Sequence, residues 1–314
     1  MSVDHTAAVP ESPGRGWPRA AALFGVTLAV SVVQPSLLIA FPFLALAVFM
    51  GAGKPGVFIA AAVAVLLTLG GAREGLWYLE RAWAMLVAGW FAALSLYKPT
   101  ARFSSRALGA VAGSAAAAAG LLTLRTGAWQ AVDWAFTDRI QGGVATAMQV
   151  MSILRDGDAL SPTLVATVYE AVEAQASVFP AMLAIASMAG LGVAWWIYVR
   201  LTEGSDQGVG PLRDFRFNDH LVWVFIGGLM LLMMTWGDAQ ARIGANAVVF
   251  MGLLYALRGA AVVMFLSSGL SVFGYVLVLF GLVFIPPVVL GAAMLVGIGD
   301  TWLDIRSKSE AAAT

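Results

Sequence analysis

Arg258 lies inside an otherwise uncharged run, Ala245–Leu266, with Tyr255 and Gly259 beside it. A charge within a membrane span costs about 2.5–3.5 kcal/mol on insertion scales and normally faces a bundle interior or a cavity. Arg258, with Tyr255, is therefore a candidate contact for an anion or a substrate, or the cationic half of a buried pair with Glu170, Glu173 or Asp238. The alternative is a guanidinium that snorkels from near a helix end. Glu170 and Glu173 stand three apart on one helix and share a face. They offer a cation site, a counter-charge for Arg258, or the solvated face of an outward-facing helix. Asn246 opens an apolar run, either as a helix cap or as a polar contact within the bundle. These five residues are the candidate ligand-binding set. Gly109 and Gly113 form a small-xxx-small pair, which lets helix backbones approach closely.

Other chemistry is poorly supplied. The chain has no cysteine, which removes disulfides, thiolate metal sites and cysteine nucleophiles. Its two histidines, His5 and His220, are far apart in sequence and form no metal motif. Asp156-Gly157-Asp158 is too short for a calcium loop, which needs further ligands at fixed offsets. No phosphate-binding glycine loop, nucleophile elbow or zinc signature occurs. Intramembrane catalysis needs paired acids, a serine with a base, or metal ligands. The spans offer almost none, so no catalytic residue, metal or cofactor is expected, and the reading is not an enzyme. With 18 basic and 18 acidic residues, no net field points to nucleic acid.

The elements that must hold these residues follow from composition. Of the 314 residues, 60% are hydrophobic and 11% are charged, and the mean hydropathy is +0.85. Soluble domains carry about a quarter charged residues. The lipid bilayer is thus the first partner, and an all-α polytopic helix bundle of about eight or nine segments is expected. Residues 1–19 read as a disordered tail, residues 20–298 as a single transmembrane domain, and residues 299–314 as a polar C-terminal tail. Arg15 and Arg19 precede an apolar run that no small-x-small cleavage site closes, so that run reads as an uncleaved first segment. Gln34-Pro35 divides Ala20–Met50 into short segments at about 20–33 and 36–50. Further segments are expected at about 57–70, 82–97, 107–124, 178–199, 221–236, 245–266 and 273–297. Trp195, Trp196 and Tyr198 would form an interfacial belt.

Residues 125–177 are more polar. Gln130, Asp133, Thr137 and Gln141 fall at helical spacing on one face, and Val132, Phe136, Ile140, Val144, Met148 and Met151 on another. That pattern is an amphipathic helix at the membrane surface or capping the bundle. Ser161-Pro162 reads as a helix start, serine as cap and proline at the first position. Gly237–Gly244 reads as a short loop. Lysine and arginine mark cytoplasmic loops. Lys98, Arg102 and Arg106 form one basic loop, and Arg200, Arg213 and Arg216 the next. Both then lie inside together with the N-terminus, and 125–177 faces outward. Three segments after the second loop would leave Arg306 and Lys308 outside, against that rule. Either the tail is an exception, one segment is re-entrant, or 245–297 crosses differently.

Four stretches together resemble the YybS-like family of bacterial membrane proteins. They are Phe179-Pro180 opening a helix that ends Trp195-Trp196-Ile197-Tyr198-Val199-Arg200; Pro211-Leu212-Arg213-Asp214-Phe215-Arg216-Phe217 leading into Trp223; Asn246 followed by Leu254-Tyr255-Ala256-Leu257-Arg258-Gly259-Ala260-Ala261-Val262-Val263; and Gly299-Asp300-Thr301-Trp302-Leu303-Asp304-Ile305-Arg306. The resemblance spans about residues 20–308. More distantly, two short segments with Pro35 and Pro42 before a glycine loop are similar to the substrate-binding components of energy-coupling-factor transporters. The resemblance implies a bacterial inner-membrane protein that binds a small molecule near the outer face and docks on a transporter coupling module. The alternative is a structural or assembly protein that contacts envelope proteins through its helices.

Overall fold

The computed structural model describes residues 75–98, 100–154, 161–201, 208–234, 237–267 and 271–308, with parts of 22–40. The segment expected at 57–70, and most of that at 36–50, lie outside the described residues. No strand occurs among the described residues, and the chain from residue 75 onward is built on the α-helices α1 Gly75–Tyr97, α2 Phe103–Thr123, α3 Ala128–Leu154, α4 Pro162–Ser177, α5 Phe179–Leu201, α6 Val222–Met233, α7 Asp238–Leu266, α8 Val272–Phe284 and α9 Pro286–Leu303. Helices satisfy every backbone group internally, which a hydrocarbon environment demands. Stretches of α1, α2, α5, α7 and α9 are long and apolar enough to cross a membrane, while α6 and α8 are apolar but shorter.

Local signals place several boundaries. Ser161 Oγ accepts from the Leu164 amide at 3.3 Å, with Pro162 in the first helical turn, as its sequence requires. At Gln34-Pro35 the chain passes into a 3-10 helix, Pro35–Ala40, whose Leu38 and Ile39 are buried. α3 turns part of its expected apolar face inward: Val132, Ile140, Val144 and Met148 are half-buried, while Met151 is exposed. Phe136 is buried and stacks on Phe179 of α5, with 3.4 Å between ring centroids.

Packing produces two apolar clusters. The first joins the 3-10 helix, α1, α2 and α5 around Ile39, Val87, Phe91 and Leu191. Gly109 and Gly113 of α2 lie against Leu94 and Trp90 of α1 there, in antiparallel register. The second joins Phe217, α6 and α7 around Phe225, Met251, Leu254 and Tyr255. Met188 of α5 touches both clusters. Trp195 and Tyr198 belong to the first cluster and are buried, so of the expected belt only Trp196 is exposed.

Sequence expectations need correction in two regions. Residues 273–297 are not one segment. Ile285 takes a non-helical conformation and Pro286 opens a new helix, so α8 and α9 form a hairpin. Proline at the first position of a helix is favoured because its missing N–H would be unpaired there anyway. Moreover, Gly252, Tyr255 and Arg258 of α7 meet Met294, Gly297 and Asp300 of α9. The constant offset makes α7 and α9 parallel. Four segments, not three, therefore follow the 200–219 loop, and the chain returns to the face it left. Arg306 Nη1 confirms the return by donating to the carbonyls of Arg213 at 3.3 Å and Phe215 at 3.1 Å. The stretch from 299 is also not a simple polar tail: α9 continues to Leu303, and Asp300 and Arg306 are buried.

The second correction concerns Gly237–Gly244. It is not a loop, because α7 begins at Asp238. Gly237 takes φ +141°, a conformation glycine adopts without strain, and Asp238 sits in the first turn, where its charge suits the helix dipole.

Candidate functional site

The bundle has two chemically different ends. At one, Ser104 Oγ of α2 donates to the Arg216 carbonyl at 3.0 Å, and Arg306 reaches the same loop. Lys98, Arg102, Arg200, Arg213, Arg216 and Arg306 thus gather at a single basic end. At the other end stand Glu80, Asp133, Glu170, Glu173 and Asp238. There Arg139 pairs with Glu80 at 3.1 Å and joins α3 to α1.

Arg258 belongs to the basic end. It is 3% exposed. Its Nε donates to Asp300 Oδ2 at 2.9 Å, its Nη1 to Asp219 Oδ1 at 2.5 Å, and its Nη2 to the Asp300 carbonyl at 3.4 Å. Arg306 Nη2 donates to the same Asp300 oxygen at 2.8 Å. All three Arg258 nitrogens are occupied, so the residue neither snorkels nor presents a free anion site. It pairs with none of Glu170, Glu173 and Asp238. Tyr255 is fully buried beside it, between the rings of Phe217 and Phe225. These residues make a structural clasp.

Glu170 and Glu173 lie elsewhere. They line a cavity of about 780 Å³ between α3, α4 and α7, together with Asp133, Asp238 and Arg242. Arg242 and Arg258 are separated by 16 positions of one helix, about 24 Å along its axis. The candidate residues therefore divide between the two ends of the bundle. Asn246 is near the cavity but works as a clip. Its Nδ2 donates to the carbonyls of Ser177 at 2.7 Å and Arg242 at 2.8 Å, and its Oδ1 accepts from the Ala181 amide at 2.8 Å. The end of α4 and the start of α5 are thereby fixed to α7.

The cavity is assembled from helical periodicity. Asp133, Thr137 and Gln141 recur every four residues along α3 and all face it. Tyr169, Glu170, Glu173 and Ser177 supply the α4 wall, and Asp238 and Arg242, one turn apart, the α7 wall. Arg242 grips Asp133 with two bonds, Nη2 to Oδ1 at 2.6 Å and Nη1 to Oδ2 at 3.1 Å. That hydrogen bonding holds the Asp133 carboxyl below the usual carboxylate range, against the opposing effect of burial. Glu170, Glu173 and Asp238 have no ion-pair partner among the described residues. The four carboxylates face one guanidinium, so the cavity is net acidic. No group of three or more acidic or histidine side chains among the described residues stands close enough together to hold a metal ion. The arrangement suits a small organic cation, large enough to meet carboxylates on separate walls.

The polar stripe of α3 and the Glu170–Glu173 pair are legible in the sequence, but their meeting with α7 is not. The available signal was Asp238-x-x-x-Arg242, an i,i+4 pair that reads as helix rather than loop.

Residues 20–301 match the family described as "Predicted membrane protein (DUF2232)". No curated protein and no solved structure matches the chain.

Proposed function

The chain belongs to the DUF2232 family of predicted membrane proteins, and from that premise we propose that it is a small-molecule-binding, transport-related component whose ligand is an organic cation. One observation carries the reading: a net-acidic cavity of about 780 Å³ whose polar lining comes from three helices and that holds three carboxylates without ion-pair partners among the described residues. Its volume lies within the range of small-molecule sites, roughly 300–1,000 Å³. By the positive-inside rule the basic end faces the cytoplasm, and the cavity then faces outward. The similarity to YybS-like proteins, and more distantly to the substrate-binding components of energy-coupling-factor transporters, agrees with a binding role near the outer face and a bacterial inner-membrane location. The same reading is of a binder rather than an enzyme.

The test is a size-graded panel of primary and quaternary ammonium compounds, with carboxylates and neutral analogues of matched size, added to the detergent-purified chain. Cations raise the unfolding midpoint and anions do not. A panel in which no cation stabilises, or in which anions stabilise as well, refutes the reading.

A second reading, a membrane assembly protein, is favoured by α8. That helix exposes Phe273, Tyr275, Leu277, Val278 and Leu279 around most of its circumference and packs mainly on α9. Co-purification of envelope proteins that is lost on replacing α8 by a polyleucine helix would support it.

A further inference from the structure

Arg106 contrasts with Arg258. It too is 3% exposed, on the fourth position of α2, yet its side chain has no hydrogen bond and no carboxylate partner among the described residues. Its Nε is sealed from solvent and unbonded. Only aromatic faces receive it: the guanidinium lies 4.6 Å from the Trp195 ring centroid and 5.5 Å from that of Phe91. A buried charge without an anion is costly unless a partner arrives from outside the chain.

The surroundings identify that partner. Arg106 is the fourth residue of α2, and helical side chains lean toward the helix N-terminus, so the first turn of α2 is the nearest source of free amides. The amides of that turn have no intrahelical acceptor, and the residue before it, Arg102, provides no side-chain cap. Helix N-termini with free amides bind phosphate. Exposed Lys98 and Arg102 precede the turn, and exposed Arg200 covers the Trp196 ring at 4.5 Å at the end of α5. Basic recesses between membrane helices on the basic face attract anionic lipid headgroups. We propose that the α1–α2–α5 corner at the basic end is a site for the phosphate of an anionic phospholipid, with Arg106 as its floor. The site stands apart from the acidic cavity and does not depend on its reading.

The experiment titrates the delipidated, purified chain with mixed micelles of phosphatidylglycerol, phosphatidylcholine, or neither plus inorganic phosphate, and follows the unfolding midpoint. Phosphatidylglycerol raises the midpoint by about 5 °C or more. Phosphatidylcholine has less than half that effect. Arg106→Gln abolishes the difference between the two lipids, while Arg213→Gln, an exposed charge of the same end, retains it. Without lipid, Arg106→Gln is at least as stable as the parent, because an unpaired buried charge has gone. Native mass spectrometry of the unsubstituted chain, which requires no variant to fold, shows retained phosphatidylglycerol in preference to phosphatidylcholine. Equal response to both lipids, equal loss in Arg106→Gln and Arg213→Gln, or a full response to inorganic phosphate alone would each overturn the assignment to lipid.

Discussion

Arg258 Nε and Arg306 Nη2 donate to one and the same oxygen of Asp300, at 2.9 Å and 2.8 Å. One carboxylate thus binds α9 to α7 and to the returning C-terminal segment. Both guanidinium groups are 3% exposed and the carboxylate is fully buried, so the three charges depend on one another.

That dependence is asymmetric. Asp300→Ala leaves Arg258 with only the exposed Asp219 carboxylate and Arg306 with backbone carbonyls alone, and should destabilise by about 3–5 kcal/mol. Arg258→Met should cost less, because Asp300 keeps Arg306 and the Asp219 side chain is 63% exposed and can hydrate. Equilibrium unfolding in mixed micelles measures both. A larger loss for Arg258→Met than for Asp300→Ala would reverse the assignment of Asp300 as the centre of the clasp.

Beside the clasp, α7 and α9 touch backbone to backbone. A side chain at Gly259 would strike the Ala293 carbonyl, and one at Gly297 the Tyr255 carbonyl. Backbone cannot step aside as a side-chain tip can. Gly259→Val and Gly297→Val should therefore exceed the usual overpacking cost of about 1–3 kcal/mol and abolish monodisperse protein. Gly252→Ala meets only the flexible Met294 Sδ, at 3.4 Å, and should be tolerated. Size-exclusion profiles of the three variants decide; a well-behaved Gly259→Val would contradict the parallel register.

The absence of cysteine makes sidedness directly measurable, because any single cysteine is the only thiol. Lys98→Cys and Lys308→Cys should react with a membrane-impermeant maleimide from one side of sealed vesicles, and Gln130→Cys from the other. Labelling of Lys308→Cys from the Gln130 side would restore the odd number of crossings that the sequence suggested.

Asp133 gives a pH signature. Arg242 holds its carboxyl below the ordinary range, so the pair contributes fully above the unfolded value near 3.9. The contribution disappears as the pH falls through the folded value. Both side chains are more than 40% exposed, so the effect should be small, about 0.2–1 kcal/mol. The stability advantage of the unsubstituted chain over Asp133→Asn should be present at pH 7 and diminish as the pH is lowered below the unfolded value. An advantage that grows in acid would contradict the pairing.

Much of this architecture could be read from sequence where local rules decide. The Ser161-Pro162 cap, the apolar and polar faces of α3, and most helix positions follow from periodicity and end signals alone. Pro286 carried the same kind of signal as Pro162, but the uninterrupted apolar character of 273–297 obscured it. Hydropathy cannot separate one long helix from a tight hairpin of two. Partner choice was less legible. Arg258 has as its anions Asp300, placed in a tail, and Asp219, placed in a loop, because such pairs depend on register between distant helices. The cavity needed α3 and α7 side by side, which neither sequence specifies. Arg106 looked like one more loop charge, and its burial comes from Phe91 and Trp195 on two other helices.

A cysteine at Thr137, on the α3 wall, reports whether the cavity opposite the basic end selects cations. The measurement is the rate of modification by a trimethylammonium-bearing methanethiosulfonate relative to a sulfonate-bearing one, each normalised to its rate with a free thiol. The cationic reagent should react about tenfold or more faster, from the side opposite Lys98 only, and Glu170→Gln with Glu173→Gln should erase the preference. Equal normalised rates, or a preference for the sulfonate, would contradict it.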